Sequence, residues 1–132
     1  YRVLFHPHLA EFHRRDAEIH SRLEVVVAAG PDLEIRRLVL VNESSRTRHL
    51  RVTSYGEVVL SPALDDERHP AFSKLFVGAE HLPDLNGLLF TRRPRAPAET
   101  PPALVHFLVA GEAGGLAVGF DSDRASFIGR LR

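Results

Sequence analysis

Between Arg48 and Leu60 the sequence alternates. Leu50, Val52, Ser54, Gly56, Val58 and Leu60 fall on one side, and Arg51, Thr53, Tyr55, Glu57 and Val59 on the other. Period-two patterning with one small, largely apolar side predicts a β-strand resting one face on a core. No other strand-like segment in the chain is as long. Ser61-Pro62 ends it, because proline cannot donate to a ladder. Asp65, Asp66, Glu67 and Arg68 read as a solvated turn. Pro70 then suits the first position of a short helical turn over Ala71 to Leu75, and Phe72 and Phe76 are spaced to meet on one side of it. A second strand follows from Leu75 to Glu80. Residues 47–77 are thus the stretch around which the rest is organised.

Shorter segments of the same character surround it. Arg2 to Phe5, Glu11 to Arg15 and Glu18 to Val27 read as strands. In the last of these Ile19, Leu23, Val25 and Val27 oppose Glu18, His20, Arg22 and Glu24, which predicts one wet face. Leu33 to Val41 is apolar on both sides in its second half, as expected of a central strand covered twice. Leu88 to Arg93 and Ala103 to Ala110 are further strands, with Asn86-Gly87 as a turn signal before the first. Pro94, Pro97, Pro101 and Pro102 make the intervening stretch an irregular surface crossing. Gly111 to Gly115 predicts a hairpin turn, with Leu116 to Asp121 returning. Asp121, Ser122 or Asp123 caps a short helix from Arg124 to Ile128, ended by Gly129. Roughly eight to ten short strands with almost no helix give an all-β fold, an antiparallel β-sandwich with about one or two short helical turns.

Composition narrows function by exclusion. The chain has 132 residues, enough for a single domain with a sizeable core. Its 17 basic and 17 acidic residues cancel, which argues against nucleic acid as the main partner. No stretch is long and apolar enough to span a bilayer. The absence of cysteine removes disulfide scaffolds and cysteine-based metal or nucleophilic sites. The absence of methionine, even at position 1, leads us to expect a part of a longer chain, so residues 1–132 are either one β-sandwich domain or a fragment of one.

No nucleophile elbow, phosphate loop, dinucleotide fingerprint or zincin motif is present. Asp65 with Asp66 and Asp121 with Asp123 lie in polar turns, not across a cleft of the kind glycosidase chemistry needs. His6 and His8 flank Pro7 without an acidic third ligand, and read as surface imidazoles. No cofactor or metal is therefore assigned. The Arg92-Arg93-Pro94-Arg95 cluster reads as a solvated strand end, or as a dock for a sugar phosphate or a partner carboxylate. Tyr55 beside Glu57 suits a sugar contact, or a half-covered sheet face with a satisfied carboxylate. Phe72 and Phe76 suit a hydrophobic plug, or a sugar platform. Aromatic faces with a few polar groups are what sugar binding requires. The candidate carbohydrate-binding residues are therefore Tyr55, Glu57, His69, Phe72 and Lys74.

Five ordered segments carry a resemblance. They are EFHRRDAEIHSRLEVVV, DLEIRRLVLVNESSRTRHLRVTSYGEVVL, HPAFSKLFV, LLFTRRPR and DRASFIGR. Together they resemble the glycoside-phosphorylase family that includes cellobiose and chitobiose phosphorylases. They are similar in particular to the phosphorylase-like region of bacterial cyclic β-1,2-glucan synthases. One departure is Lys74, where the family pattern leads us to expect Asn. The resemblance implies part of an N-terminal β-supersandwich, which in the family precedes a helical linker and an α/α barrel. The barrel carries the general-acid Asp and the phosphate site, so no catalytic residue transfers to this chain. The resemblance further implies a sandwich that supports the barrel, helps form a dimer and borders the substrate cleft. It implies a β-glucan or oligosaccharide as partner, and a cytoplasmic-facing place in a bacterial inner-membrane protein. The chain is then a non-catalytic domain of a glucan-processing glycosyltransferase or phosphorylase. A self-sufficient carbohydrate-binding module is the alternative, and an independent enzyme a more distant one.

Leu38, Leu40, Leu104 and Leu108 fall out of phase with the inward faces of their strands. Such residues, with unpaired sheet edges, recruit a second copy. The chain is expected to self-associate, most simply as a two-fold pair. Light scattering over a concentration series should show mass rising with concentration. A strictly monomeric chain at high concentration would contradict this.

Overall fold

The structure, a computed structural model, describes residues 1–109 and 118–129. The chain divides into two compact units, Tyr1–Thr53 and Ser54–Arg132. Each is built on an antiparallel sheet, as the all-β reading predicts, with seven strands among the described residues.

The first unit is a four-stranded meander. Strands β1 (Arg2–His6), β2 (Leu9–Asp16), β3 (Ile19–Val27) and β4 (Glu34–Asn42) lie in the order β1-β2-β3-β4. The alternation of the sequence sets the faces. One face carries Val3, Phe12, Leu23 and Leu38 in a cross-strand row. The other carries Leu4, Glu11, Glu24 and Arg37 in the next row. Two carboxylates directly opposite each other repel. Here His13 donates to Glu11 at 2.9 Å, Arg22 pairs with Glu24, and Arg37 reaches Glu24 at 3.4 Å. The hydrogen bond from His13 is the main reason the Glu11 carboxyl lies below its usual range. Glu24, expected on the wet side, is buried because these partners enclose it.

Ala17 and Glu18 join β2 to β3, both at positive φ (46° and 65°). A two-residue hairpin needs that twist, and Asn-Gly would supply it at less cost. The turn is held from outside instead. Glu43 N donates to Glu18 O at 2.8 Å, and Arg48 Nη1 to Ala17 O at 2.9 Å.

β4 departs from expectation. Apolar residues on both sides predicted a central, doubly covered strand. Among the described residues β4 pairs only with β3, and Ile35, Leu38, Leu40 and Val41 are exposed. Apolar composition reports what a strand is able to bury, not what lies against it.

The second unit opens with the largest correction. Residues 54–60, the second half of the predicted longest strand, pair with no strand among the described residues, and neither do residues 48–53. Alternation signals an extended chain, whereas a strand also needs a neighbour to complete its ladder. The polar run after it is a helix, α1 (Ala63–Arg68), not a turn. Pro62 O accepts from Asp65 N at 3.0 Å to start it, and acids in its first turn with Arg68 in its last suit the helix dipole. α2 (Pro70–Lys74) begins on proline as predicted, and the Phe72 and Phe76 rings meet edge to face at 5.1 Å.

The second sheet has the order β5-β6-β7: β5 (Val77–Leu82), β6 (Gly87–Arg92) and β7 (Leu104–Phe107). A short 3₁₀ turn (Pro83–Leu85) leads to Asn86, which takes the left-handed conformation at φ 47°, so the Asn-Gly signal marks a true reversal. α3 (Arg124–Ile128) is capped by Asp123, whose side chain accepts from Ala125 N at 2.8 Å, and ends on Gly129 at φ 68°. The predicted hairpin at Gly111–Gly115 lies outside the described residues, and residues 118–121 form no strand.

The core of the described residues is thin. Leu60 is its one buried large apolar side chain, with 6% of its surface exposed. Beside it lies Arg92, expected at a solvated strand end yet 5% exposed. Its Nε donates to Leu60 O at 2.6 Å, and its Nη2 pairs with Glu99. Arg95 is also held internally: its Nη1 donates to Asp65 at 2.8 Å, and its backbone N to Glu99 at 2.5 Å. No helix among the described residues is long and apolar enough to cross a membrane.

Gly87 faces Phe107 at the register where β6 meets β7. A Cβ there would fall 2.7 Å from Phe107 Cβ and 2.9 Å from the His106 carbonyl. At Gly78 on β5 the nearest atom to such a Cβ is Thr91 Oγ1, at 3.9 Å. Gly87→Ala should therefore cost about 2 kcal/mol by overpacking. Gly78→Ala should be neutral or gain about 0.5 kcal/mol from reduced chain entropy. Urea midpoints of the two variants check this difference.

Candidate functional site

The second unit gathers three separated pieces of sequence around Glu57. Extended alternation sets Tyr55 and Glu57 side by side, and the Tyr55 hydroxyl donates to Glu57 Oε1. α2 ends at Lys74, whose Nζ donates to Glu57 Oε2 at 2.6 Å. α3 begins at Arg124, whose Nε donates to Glu57 Oε1 at 2.6 Å. One carboxylate thus receives a phenol and two cations.

α3 makes a second contact one turn further on. Phe127 is three residues beyond Arg124 and so shares its side of the helix. Its ring stacks on Tyr55 with centroids 5.2 Å apart and planes inclined by 6°. Residues two apart on an extended segment are thus matched by residues three apart on a helix. Asp123 and Gly129 fix both ends of that helix, which aims Arg124 and Phe127 together.

The electrostatics follow from the contacts. Lys74, Tyr55 and Arg124, in that order, pull the Glu57 carboxyl down to about 2. The same carboxylate holds the phenolic proton of Tyr55 and raises its pKa. It also raises that of Arg124. The groups lie at the surface, with Glu57 about one-third and Arg124 about two-thirds exposed, so each pair separately is a modest contributor. The strength of the arrangement is that all of them share one anion.

Of the candidate sugar-contacting residues, the fold brings together Tyr55, Glu57 and Lys74. His69 and Phe72 sit in the neighbouring helical junction. His69 closes α1 and opens α2, its backbone N donating to Asp65 O and its carbonyl accepting from Ser73 N, both at 3.0 Å. Phe72 is exposed and turned to Phe76. Neither shares a hydrogen bond with Glu57 among the described contacts. Arg124 and Phe127 were missed as site residues. Their signal was present in the segment DRASF, where a capping Asp precedes residues at helical spacing. Among the described residues no group of three or more His, Asp or Glu side chains is placed to hold a metal ion.

Chemically the cluster offers a half-exposed aromatic pair beside two cations that share one anion and keep a net positive charge. The Glu57 oxygens are occupied, and its carboxyl is driven toward the charged form. Both features suit an organising ion pair and oppose a role as proton donor, which needs a raised pKa.

Comparison with known proteins agrees across the whole length. The family model described as glycosyl hydrolase 94, supersandwich domain, matches residues 1–132. The chain is 31% identical over 123 residues to the cyclic beta-(1,2)-glucan synthase NdvB of Rhizobium meliloti (strain 1021). That match covers 93% of this chain and 4% of the relative, so the chain spans a small part of the length of the protein it resembles. No solved structure matches it.

A carboxyl whose folded pKa is depressed stabilises the fold above its unfolded value, near 4.5, and loses that contribution as pH falls toward about 2. Glu57→Gln cannot titrate. Stability of the natural chain should therefore fall more steeply than that of Glu57→Gln between those two values. Urea midpoints measured across the window should converge at the acid end, and parallel curves would contradict the assignment.

Proposed function

Because this chain belongs to the glycosyl hydrolase 94 supersandwich-domain family, we propose that it is a non-catalytic scaffold domain of a larger glucan-processing enzyme. Its role is to support the catalytic part of that protein and to border its carbohydrate site. The reaction of the parent is glycosyl transfer or phosphorolysis on β-linked glucan, a reading supported by the synthase to which this chain is 31% identical over 123 residues. The observation that carries the scaffold role is the Glu57 node. Tyr55, Lys74, Arg124 and Phe127, drawn from three of the shared sequence segments, act on one another. The carboxyls of Glu11, Glu57 and Glu99 are all lowered by hydrogen bonds and cations, so these three are tuned as ion-pair members.

A second reading, a self-sufficient carbohydrate-binding module, is favoured by one feature. Tyr55 and Phe127 form a half-exposed stacked pair next to Lys74 and Arg124. Exposed Leu38, Leu40, Leu104 and Leu108 suit contact with the rest of the parent or with a second copy.

Substitution in the parent enzyme separates the two readings. As a scaffold, Glu57→Gln should lower the melting temperature and yield of the parent while leaving KM for the glucan unchanged. Unaltered stability with a raised KM would instead favour direct sugar binding. So would calorimetric binding of β-1,2-glucan oligosaccharides by the 132-residue chain that disappears in Tyr55→Ala.

A further inference from the structure

The first unit contains an open hollow, edged by charged side chains, that the scaffold role does not use. The registers Arg2↔His13 and Arg15↔His20 put four basic side chains on one face of β1, β2 and β3. These residues line a hollow of about 350 Å³, with Tyr1, Arg14 and Glu43 completing the wall. The His13 and His20 rings stack at 5.8 Å with planes inclined by 23°. The guanidiniums of Arg2 and Arg15 and two imidazoles therefore share that face beside one carboxylate, that of Glu43.

The charges within it are unevenly spent. Arg14 is turned to Asp16, at 2.7 Å. Arg15 Nε holds Glu43 Oε2 at 2.6 Å. No carboxylate among the described residues forms an ion pair with Arg2. Guanidinium forks match the geometry of oxyanions. His13 Nε2 already donates to Glu11 at 2.9 Å, so the His20 ring and the second nitrogen of His13 are the imidazole donors alongside. Glu43 shows what this wall accepts, since its carboxylate already rests on one arm.

We propose that this hollow is a binding site for a small oxyanion, a phosphate or carboxylate group, held by Arg2 and Arg15 beside the His13–His20 pair. Glu43 occupies part of it as an internal competitor. The patch is too small, and the chain too near neutrality, for the extended phosphate contacts of a nucleic acid. The assignment rests on the first unit alone and stands or falls independently of the role of Glu57.

The test is NMR titration of the full chain with inorganic phosphate, with acetate, and with chloride at matched ionic strength, following the ring protons of His13 and His20. The expected result is saturable shifts with phosphate or acetate, with Kd on the order of 1 mM, and none with chloride. Saturation by phosphate alone assigns a phosphate ligand, and saturation by both assigns a general oxyanion site. Arg15→Ala should weaken binding about fivefold, the loss of one exposed charge contact. Glu43→Gln should tighten it by removing the competitor, and it keeps the side chain's size, so folding is preserved. Shifts that remain linear and match chloride would overturn the proposal. So would identical affinities in the natural chain and in Glu43→Gln.

Discussion

The second unit depends on holding an extended segment without a ladder. Residues 54–60 alternate like a strand but pair with none among the described residues. Side chains from elsewhere secure them. Arg92 reaches from β6 to the Leu60 carbonyl, and Lys74 and Arg124 reach from two helices to Glu57. The Leu60 contact is buried, so removing the guanidinium would leave that carbonyl and Glu99 Oε1 without their donor. The Glu57 contacts are exposed, so their value lies in convergence. Fixing the carboxylate fixes the end of α2, the start of α3 and the Tyr55–Phe127 stack together.

The first unit solves a related problem with a ladder in place. Each of its strands has a ladder partner, yet the polar face sets Glu11 opposite Glu24. Arg22, Arg37 and His13 resolve the repulsion, and the network spans β2, β3 and β4. Such a face is specified by charge register as much as by apolar contact. A slip of one residue would set every one of these groups on the opposite side. The apolar face stays partly exposed, with Phe5 and Leu38 open to solvent, so the described residues do not close a full core by themselves.

What could be read from the sequence was local. β1 to β4 were found to within a few residues, because strand alternation is a short-range signal. The cap at Asp123, the stop at Gly129 and the proline start of α2 were equally legible. What was missed required knowledge of neighbours. The Arg48–Leu60 pattern could not reveal that no strand among the described residues pairs with it. Asp65 to Arg68 looked like solvated charge, because a short helix leaves no apolar period to detect. The positive φ of Ala17 and Glu18 runs against both residue types and is sustained by contacts from residues 43 and 48. Within the candidate site, Tyr55 and Glu57 were visible as neighbours, whereas Arg124 lies 67 residues away and its partner is chosen by the fold. The family resemblance held over the whole chain, because ordered motifs record such tertiary choices even when their geometry is hidden.

Glu57 and Arg124 act as one structural unit. A double-mutant cycle of Glu57→Gln and Arg124→Gln, read by urea denaturation of the full chain at neutral pH, tests it most directly. The account predicts strong non-additivity: once Glu57 is neutral, replacing Arg124 should cost little more. Additive losses, with each substitution costing as much in the presence of the other as in its absence, would show that the two side chains act separately and that the node does not organise the segment.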